Sequence, residues 1–246
     1  MLQITHWSIP SLVAIVLAVA TLVRIRQSGP VPGARALTAL GGCVMLWSFG
    51  QFVGSLTTSL ELKILASKLQ YPAIALLPAT WLMFATTFIR GRQAMAPPKL
   101  ALLVALPCVT VLLAWTNELH GMLWAAVELR PTPGFMGLAI DYGPWFRVHM
   151  VYSYALVLAA TLLLRLELPD SPRTARARTA VVQAPFAIVL VNLLHLSPWN
   201  PVPFIDPTPL GLAIGTWILN RGVLRTGRVN PRRMPVLELP TAAGRC

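Results

Sequence analysis

The chain alternates long apolar runs with short breaks rich in proline, glycine and arginine. Seven runs read as helices: residues 9–23, 36–56, 62–89, 100–115, 144–164, 179–196 and 209–224. Crossing a bilayer takes roughly 20 mostly apolar residues, within reach of each run once its flanks are added. The third run contains Pro72 and Pro78, each of which deletes a backbone donor and can kink a helix. The fifth is the most informative. Asp141, Tyr142 and Gly143 make a turn-like opening, Pro144 suits a first helical turn, and Trp145 suits a membrane interface. Arg147, His149, Tyr152 and Tyr154 then descend into the apolar stretch, where polar groups are costly unless they face protein. This helix is therefore expected to be a wall of a bundle, and the fold class is all-α, a seven-helix transmembrane bundle. Gly50/Gly54 and Gly211/Gly215 have the spacing that permits close helix contact. Residues 116–143 form the longest non-apolar break, and Arg173, Arg176 and Arg178 fall in a charged loop before the sixth helix.

Composition agrees. The chain is 56% hydrophobic and 11% charged, with a mean hydropathy of +0.66, whereas a soluble domain carries about 25% charged residues. A net charge of +12 could suggest nucleic acid, but the basic residues lie in short clusters between apolar runs, so no nucleic-acid partner is expected. Cys43 and Cys108 sit inside apolar runs and Cys246 ends the chain, which gives neither a disulfide framework nor metal-ligand spacing.

Charge placement predicts the orientation. No Lys or Arg precedes the first run while Arg24 and Arg26 follow it, which favours an uncleaved helix with its N-terminus outside, despite the cleavage-like Ala18-Val19-Ala20. Seven crossings then put the C-terminus in the cytoplasm. Of the 20 Lys and Arg residues, all but Lys63, Lys68, Arg130 and Arg147 fall on the cytoplasmic side in this topology. All four histidines and Glu61, Glu118, Glu128, Asp141 and Asp206 fall in the outer half.

Four stretches carry a family resemblance: LQYPAIALLPATWLMFATTF at 69–88, TNELHGMLW at 116–124, DYGPWFRVHMVYSY at 141–154 and FIDPTP at 204–209. In this order and spacing the chain resembles the seven-transmembrane N-terminal sensor region of bacterial histidine kinases and some diguanylate cyclases. It departs from that pattern at Arg147, where an aromatic or apolar residue is expected. It departs again after the seventh helix, where the family runs through a basic linker into an output domain and this chain has only 226–246, broken by Pro231, Pro235 and Pro240. The resemblance implies a sensor domain over 1–225, a basic tail over 226–246, a multi-pass location in the bacterial inner membrane, and a cytoplasmic kinase or cyclase partner. Lipid, a small ligand and a second copy in a homodimer complete the expected partners.

No catalytic set, cofactor site or metal site stands out. Glu118 and His120 have the wrong spacing for a helical metal pair, and the chain has no room for a phosphoacceptor helix and an ATP-binding domain, so it is expected not to be an enzyme. The candidate ligand-binding residues are Tyr71, Trp81, His149, Tyr152, Asn192 and Asp206. Each has a plainer alternative: packing for the aromatics (Trp217 included), a hydrogen bond to a neighbouring helix for His149 and Asn192, and a cap on the seventh helix for Asp206. The function expected is a membrane sensor or receptor module that reads a ligand, pH or membrane state in its outer half and relays it through the seventh helix. The rivals are a small secondary transporter and a truncated fragment of a longer sensor. Against the transporter, no internal repeat relates the two halves.

Overall fold

The computed structural model describes residues 2–3, 5–28, 33–90, 96–132, 134–168, 175–200 and 204–227. The described residues form seven helices: α1 Ile9–Gln27, α2 Ala34–Ser55, α3 Leu60–Arg90, α4 Pro97–Trp115, α5 Pro144–Glu167, α6 Ala175–Leu196 and α7 Thr208–Gly227. Six are long and apolar enough to cross a membrane, and α7 is less apolar because Asn220 and Arg221 fall within it.

The helix starts follow from backbone chemistry. The first N–H groups of a helix have no intrahelical acceptor, so a proline there sacrifices nothing. Pro10 opens α1, Pro97 and Pro98 open α4, and Pro144 opens α5. The fourth helix thus begins three residues before the expected position 100. Several ends run past the apolar pattern because arginine is itself a good helix former. Arg24 and Arg26 lie within α1, Arg165 and Glu167 close α5, and Arg176 and Arg178 belong to α6 rather than to a loop. Helix α3 continues through Pro72 and Pro78 for 31 residues. The expected boundary between residues 225 and 226 falls inside α7. Arg92, Arg173, residues 201–203 and the tail from 228 to 246 lie outside the described residues.

Helix α3 touches α2, α4 and α5; α2 also meets α1 and α7, and α6 bridges α5 and α7. Half of α3's most apolar window is buried against 11% of α6's, so α3 is the central helix. Alanines such as Ala14, Ala18, Ala75, Ala85, Ala160 and Ala213 share the interior with Leu37, Phe84 and Leu164, while Val16, Phe49, Leu102, Val151 and Phe186 lie on the outside. A water-soluble protein would not expose so many large apolar side chains. In lipid, large apolar side chains are well solvated and small ones let helix backbones approach closely. A Cβ on Gly50 would stand 2.3 Å from Gln70 Cγ and 3.0 Å from the Ala66 carbonyl, whereas one on Gly54 would make ordinary contact at 3.5 Å. Close packing of α2 on α3 therefore requires only the first glycine of that pair.

The break at 116–143 is not irregular. It folds into an antiparallel hairpin of β1 Trp124–Thr132 and β2 Phe135–Tyr142, paired from Trp124↔Tyr142 to Thr132↔Phe135. Asn117 anchors its base: its Oδ1 accepts from the Leu123 and Trp124 amides at 3.1 and 2.9 Å, and its Nδ2 donates to the Trp124 carbonyl at 2.9 Å. Gln3 ties the hairpin to the bundle, donating from Nε2 to the Ser55 and Thr57 carbonyls and accepting the Met136 amide on Oε1 at 2.9 Å. The hairpin, the α2–α3 turn and the start of α7 thus share one end of the bundle. At the opposite, basic end, Arg90 pairs with Glu167 at 2.7 Å, and the guanidinium groups of Arg24 and Arg221 each lie 5.0 Å from the Trp217 ring.

Candidate ligand-binding site

Beneath the hairpin lies a cavity of about 490 Å³, within the size range of small-molecule sites. Trp7, Trp47, Tyr71, Trp124 and Tyr142 give it aromatic walls, and Gln51, Lys63, Gln70, Asp141 and Asp206 supply polar groups. Tyr71, Tyr142 and Asp206 also border a second space of about 150 Å³ that continues between α3, α5 and α6. A third, wholly apolar space of about 60 Å³ lies deeper, sharing Leu77, Ile188 and Leu212 with the second.

The aromatic walls are fixed by local chemistry. The Tyr71 hydroxyl accepts from the Trp124 indole N–H at 2.9 Å, and the two rings meet edge to face at 5.2 Å. Tyr142 stacks on Phe146 at 3.8 Å. Burial, with the nearby Asp206 carboxylate adding to it, pushes the Tyr142 phenol above its ordinary value, so it remains a neutral donor. A Cβ on Gly143 would stand 2.3 Å from the Met122 carbonyl, so only glycine lets α5 start this close to the hairpin base.

Asp206 serves as both cap and wall. Its Oδ1 accepts the Thr208 amide at the start of α7 at 2.9 Å, and its own carbonyl accepts Gln51 Nε2 at 2.7 Å. Two residues earlier, Phe204 adopts a left-handed conformation (φ 71°), and a Cβ on Gly137 of β2 would be 2.9 Å from its side chain. A bulky residue in that conformation is costly and persists only where its surroundings hold it. The 204–206 segment is thus pinned between the hairpin, α2 and α7.

His149 is buried, with Nδ1 3.2 Å from Thr110 Oγ1 and Nε2 3.2 Å from Ser153 Oγ. Thr110 also donates to the Leu106 carbonyl and accepts from Trp145 Nε1 at 3.0 Å. Its single hydrogen is committed to Leu106, so Nδ1 of a neutral His149 carries the proton and Nε2 accepts from Ser153; this tautomer is assigned from the hydrogen bonds. Asn192 accepts from the Tyr154 hydroxyl at 2.7 Å and donates to Thr208 Oγ1 at 3.0 Å, linking α5, α6 and α7. Both residues face protein rather than lipid.

Four of the six candidates, Tyr71, His149, Asn192 and Asp206, therefore border the two upper spaces. Trp81 and Tyr152 do not. Trp81 lies ten residues beyond Tyr71 on the same helix, about 15 Å along its axis at 1.5 Å per residue, and it borders only the deepest space. Tyr152 turns to α4 and donates to the Leu103 carbonyl. Arg147 is exposed and does not line the cavity. The sequence reading missed Lys63, Gln70, Trp124, Tyr142 and Tyr154 as site residues. A signal for Lys63 was available: a lysine one turn into an apolar helix has to place its charge somewhere.

Tyr71, Trp124, Tyr142 and Asp206 come from the four stretches singled out in the sequence, and all four border the larger cavity. No curated protein matches the chain. The family model for the N-terminal 7TM region of histidine kinase matches residues 8–230, nearly the whole chain, and the multi-pass membrane protein described here belongs to that family.

Proposed function

We propose that this chain is the input module of a bacterial histidine-kinase signalling system. It sits in the inner membrane with its N-terminus and hairpin outside and the far end of α7 in the cytoplasm. A small ligand enters the cavity beneath the hairpin. The module performs no chemistry itself, and phosphotransfer belongs to the kinase that α7 addresses.

The observation that carries this reading is the double role of Asp206, whose side chain borders the cavity and holds the first amide of α7. A ligand contacting that carboxylate alters the interactions of α7 directly. A ligand can bias a two-state packing only through differential contacts with the two states, and Asp206 is placed to provide them. Asn192 adds a second route, since its bond to Thr208 reaches the same turn from α6. The basic residues at the opposite end suit a cytoplasmic face.

Orientation is the first test. In a cysteine-free background, Leu119→Cys on the hairpin side should react with a membrane-impermeant maleimide on intact cells. Gln27→Cys should react only after the cells are opened. The reverse pattern would place the cavity in the cytoplasm and end the reading as an external sensor.

A further inference from the structure

Lys63 lies in the first turn of α3 and is only 4% exposed, yet among the described residues it has no carboxylate within ion-pair distance. Its ammonium makes one described hydrogen bond, to the Gly54 carbonyl at 2.7 Å, which leaves two of its three donors without a described protein partner. Burying a charge is expensive unless it is paired and hydrogen-bonded. Lys63 nevertheless borders the same cavity as Asp206, whose Oδ1 is taken by Thr208 and whose Oδ2 has no described partner.

Both residues are tied to the last turns of α2. The Lys63 ammonium donates to the Gly54 carbonyl, and Gln51 Nε2 donates to the backbone carbonyl of Asp206, whose carboxylate borders the same cavity. A cation and an anion therefore face the same space without neutralising each other. A simple organic anion would suit Lys63 but meet Asp206 and Asp141, and a simple cation would meet Lys63 and Arg130, the latter already paired with Glu128. A zwitterion satisfies both, and the surrounding indole and phenol rings suit an apolar or aromatic body.

We infer that the cavity takes an α-amino acid with an apolar or aromatic side chain, its carboxylate on Lys63 and its ammonium on Asp206. This rests on the reading of the cavity as a ligand site and adds the chemical class of the ligand.

The test is binding to the full chain in lipid nanodiscs, followed by intrinsic tryptophan fluorescence and by calorimetry. The probes are L-phenylalanine, L-tryptophan and L-leucine, with phenethylamine and 3-phenylpropionate as analogues lacking one charge. At least one amino acid should bind, and both analogues should be weaker than L-phenylalanine by tenfold or more. Lys63→Met should abolish the preference for L-phenylalanine over phenethylamine without lowering the melting temperature, since methionine fills the space without a charge. Asp206→Asn should abolish the preference over 3-phenylpropionate. No binding by any of the three amino acids at millimolar concentration, or equal binding of 3-phenylpropionate, would overturn the inference. A Lys63→Met variant that keeps its discrimination would also overturn it. None of these outcomes depends on α7 responding, so failure here is distinguishable from failure of the sensor reading.

Discussion

The Trp124 indole N–H donates to the Tyr71 hydroxyl across 2.9 Å, joining the base of the hairpin to the central helix of the bundle. Both residues are buried, and the contact spans 53 positions of sequence. It fixes the floor of the hairpin over the bundle, and therefore the shape of the cavity between them.

Replacing Tyr71 by Phe removes the acceptor and leaves a buried indole N–H unpaired. The expected cost is about 1–3 kcal/mol. Trp124→Phe alone should also destabilise, but adding it to Tyr71→Phe should cost less than the sum of the two single losses, because no donor then remains to be orphaned. Thermal unfolding of the four proteins in one detergent measures this. Strict additivity would show that the hydrogen bond contributes nothing.

Asn117 makes three hydrogen bonds to residues 123 and 124. Asn117→Ala should destabilise by about 2–4 kcal/mol, and amide exchange at Leu123 and Trp124 should accelerate before exchange in α3 does. Asn117→Asp keeps the two acceptor contacts, so it should fall between alanine and wild type. Unchanged exchange at 123 and 124 in the alanine variant would contradict the anchoring role.

Gly50 and Gly54 should respond differently. Gly50→Ala drives a methyl into Gln70 and toward the Ala66 carbonyl, so it should displace Gln70 from the cavity wall and lower the melting temperature. Gly54→Ala meets only ordinary contact and should be close to neutral. Equal effects would mean that the α2–α3 approach is looser than described.

Lys68 hydrogen-bonds Glu118 at 2.7 Å and holds that carboxyl below its ordinary value. A depressed folded value adds stability at pH above the ordinary glutamate range, and this is lost as pH falls through the folded value. Glu118 is 58% exposed, so screening keeps the effect small. Glu118→Gln should melt slightly lower than wild type at neutral pH and coincide with it in acid. A difference that grows in acid would reverse the sign.

Much of this architecture is legible in the chain. The apolar periods mark the seven helices, and the arginine clusters mark one end of the bundle. The hairpin is not legible, because Trp124–Thr132 and Phe135–Tyr142 mix polar and apolar residues without clean alternation and gain their order from Asn117 and Gln3. Sequence patterns locate polar residues within apolar helices but not the direction they face. That is why His149 and Asn192 border the second space, whereas Tyr152, three residues after His149, borders neither upper space and spends its hydroxyl on the Leu103 carbonyl. In the sequence Lys63 marks a charge in the outer half, and only the contact with α2 shows that this charge is buried.

The proposed relay couples the cavity end of α7 to its basic end, where the Arg24 and Arg221 guanidinium groups both lie against the Trp217 ring. The most direct measurement is the distance distribution between spin labels at Val23 of α1 and Ile218 of α7, both exposed, in nanodiscs. It should be compared between wild type, Asp206→Ala and Asn192→Ala. Coupling predicts that both substitutions, made at the opposite end of α7, shift or broaden this distribution. Superimposable distributions, with Asp206→Ala still accelerating amide exchange in the first turn of α7, would show that the disturbance stays local and would contradict the relay.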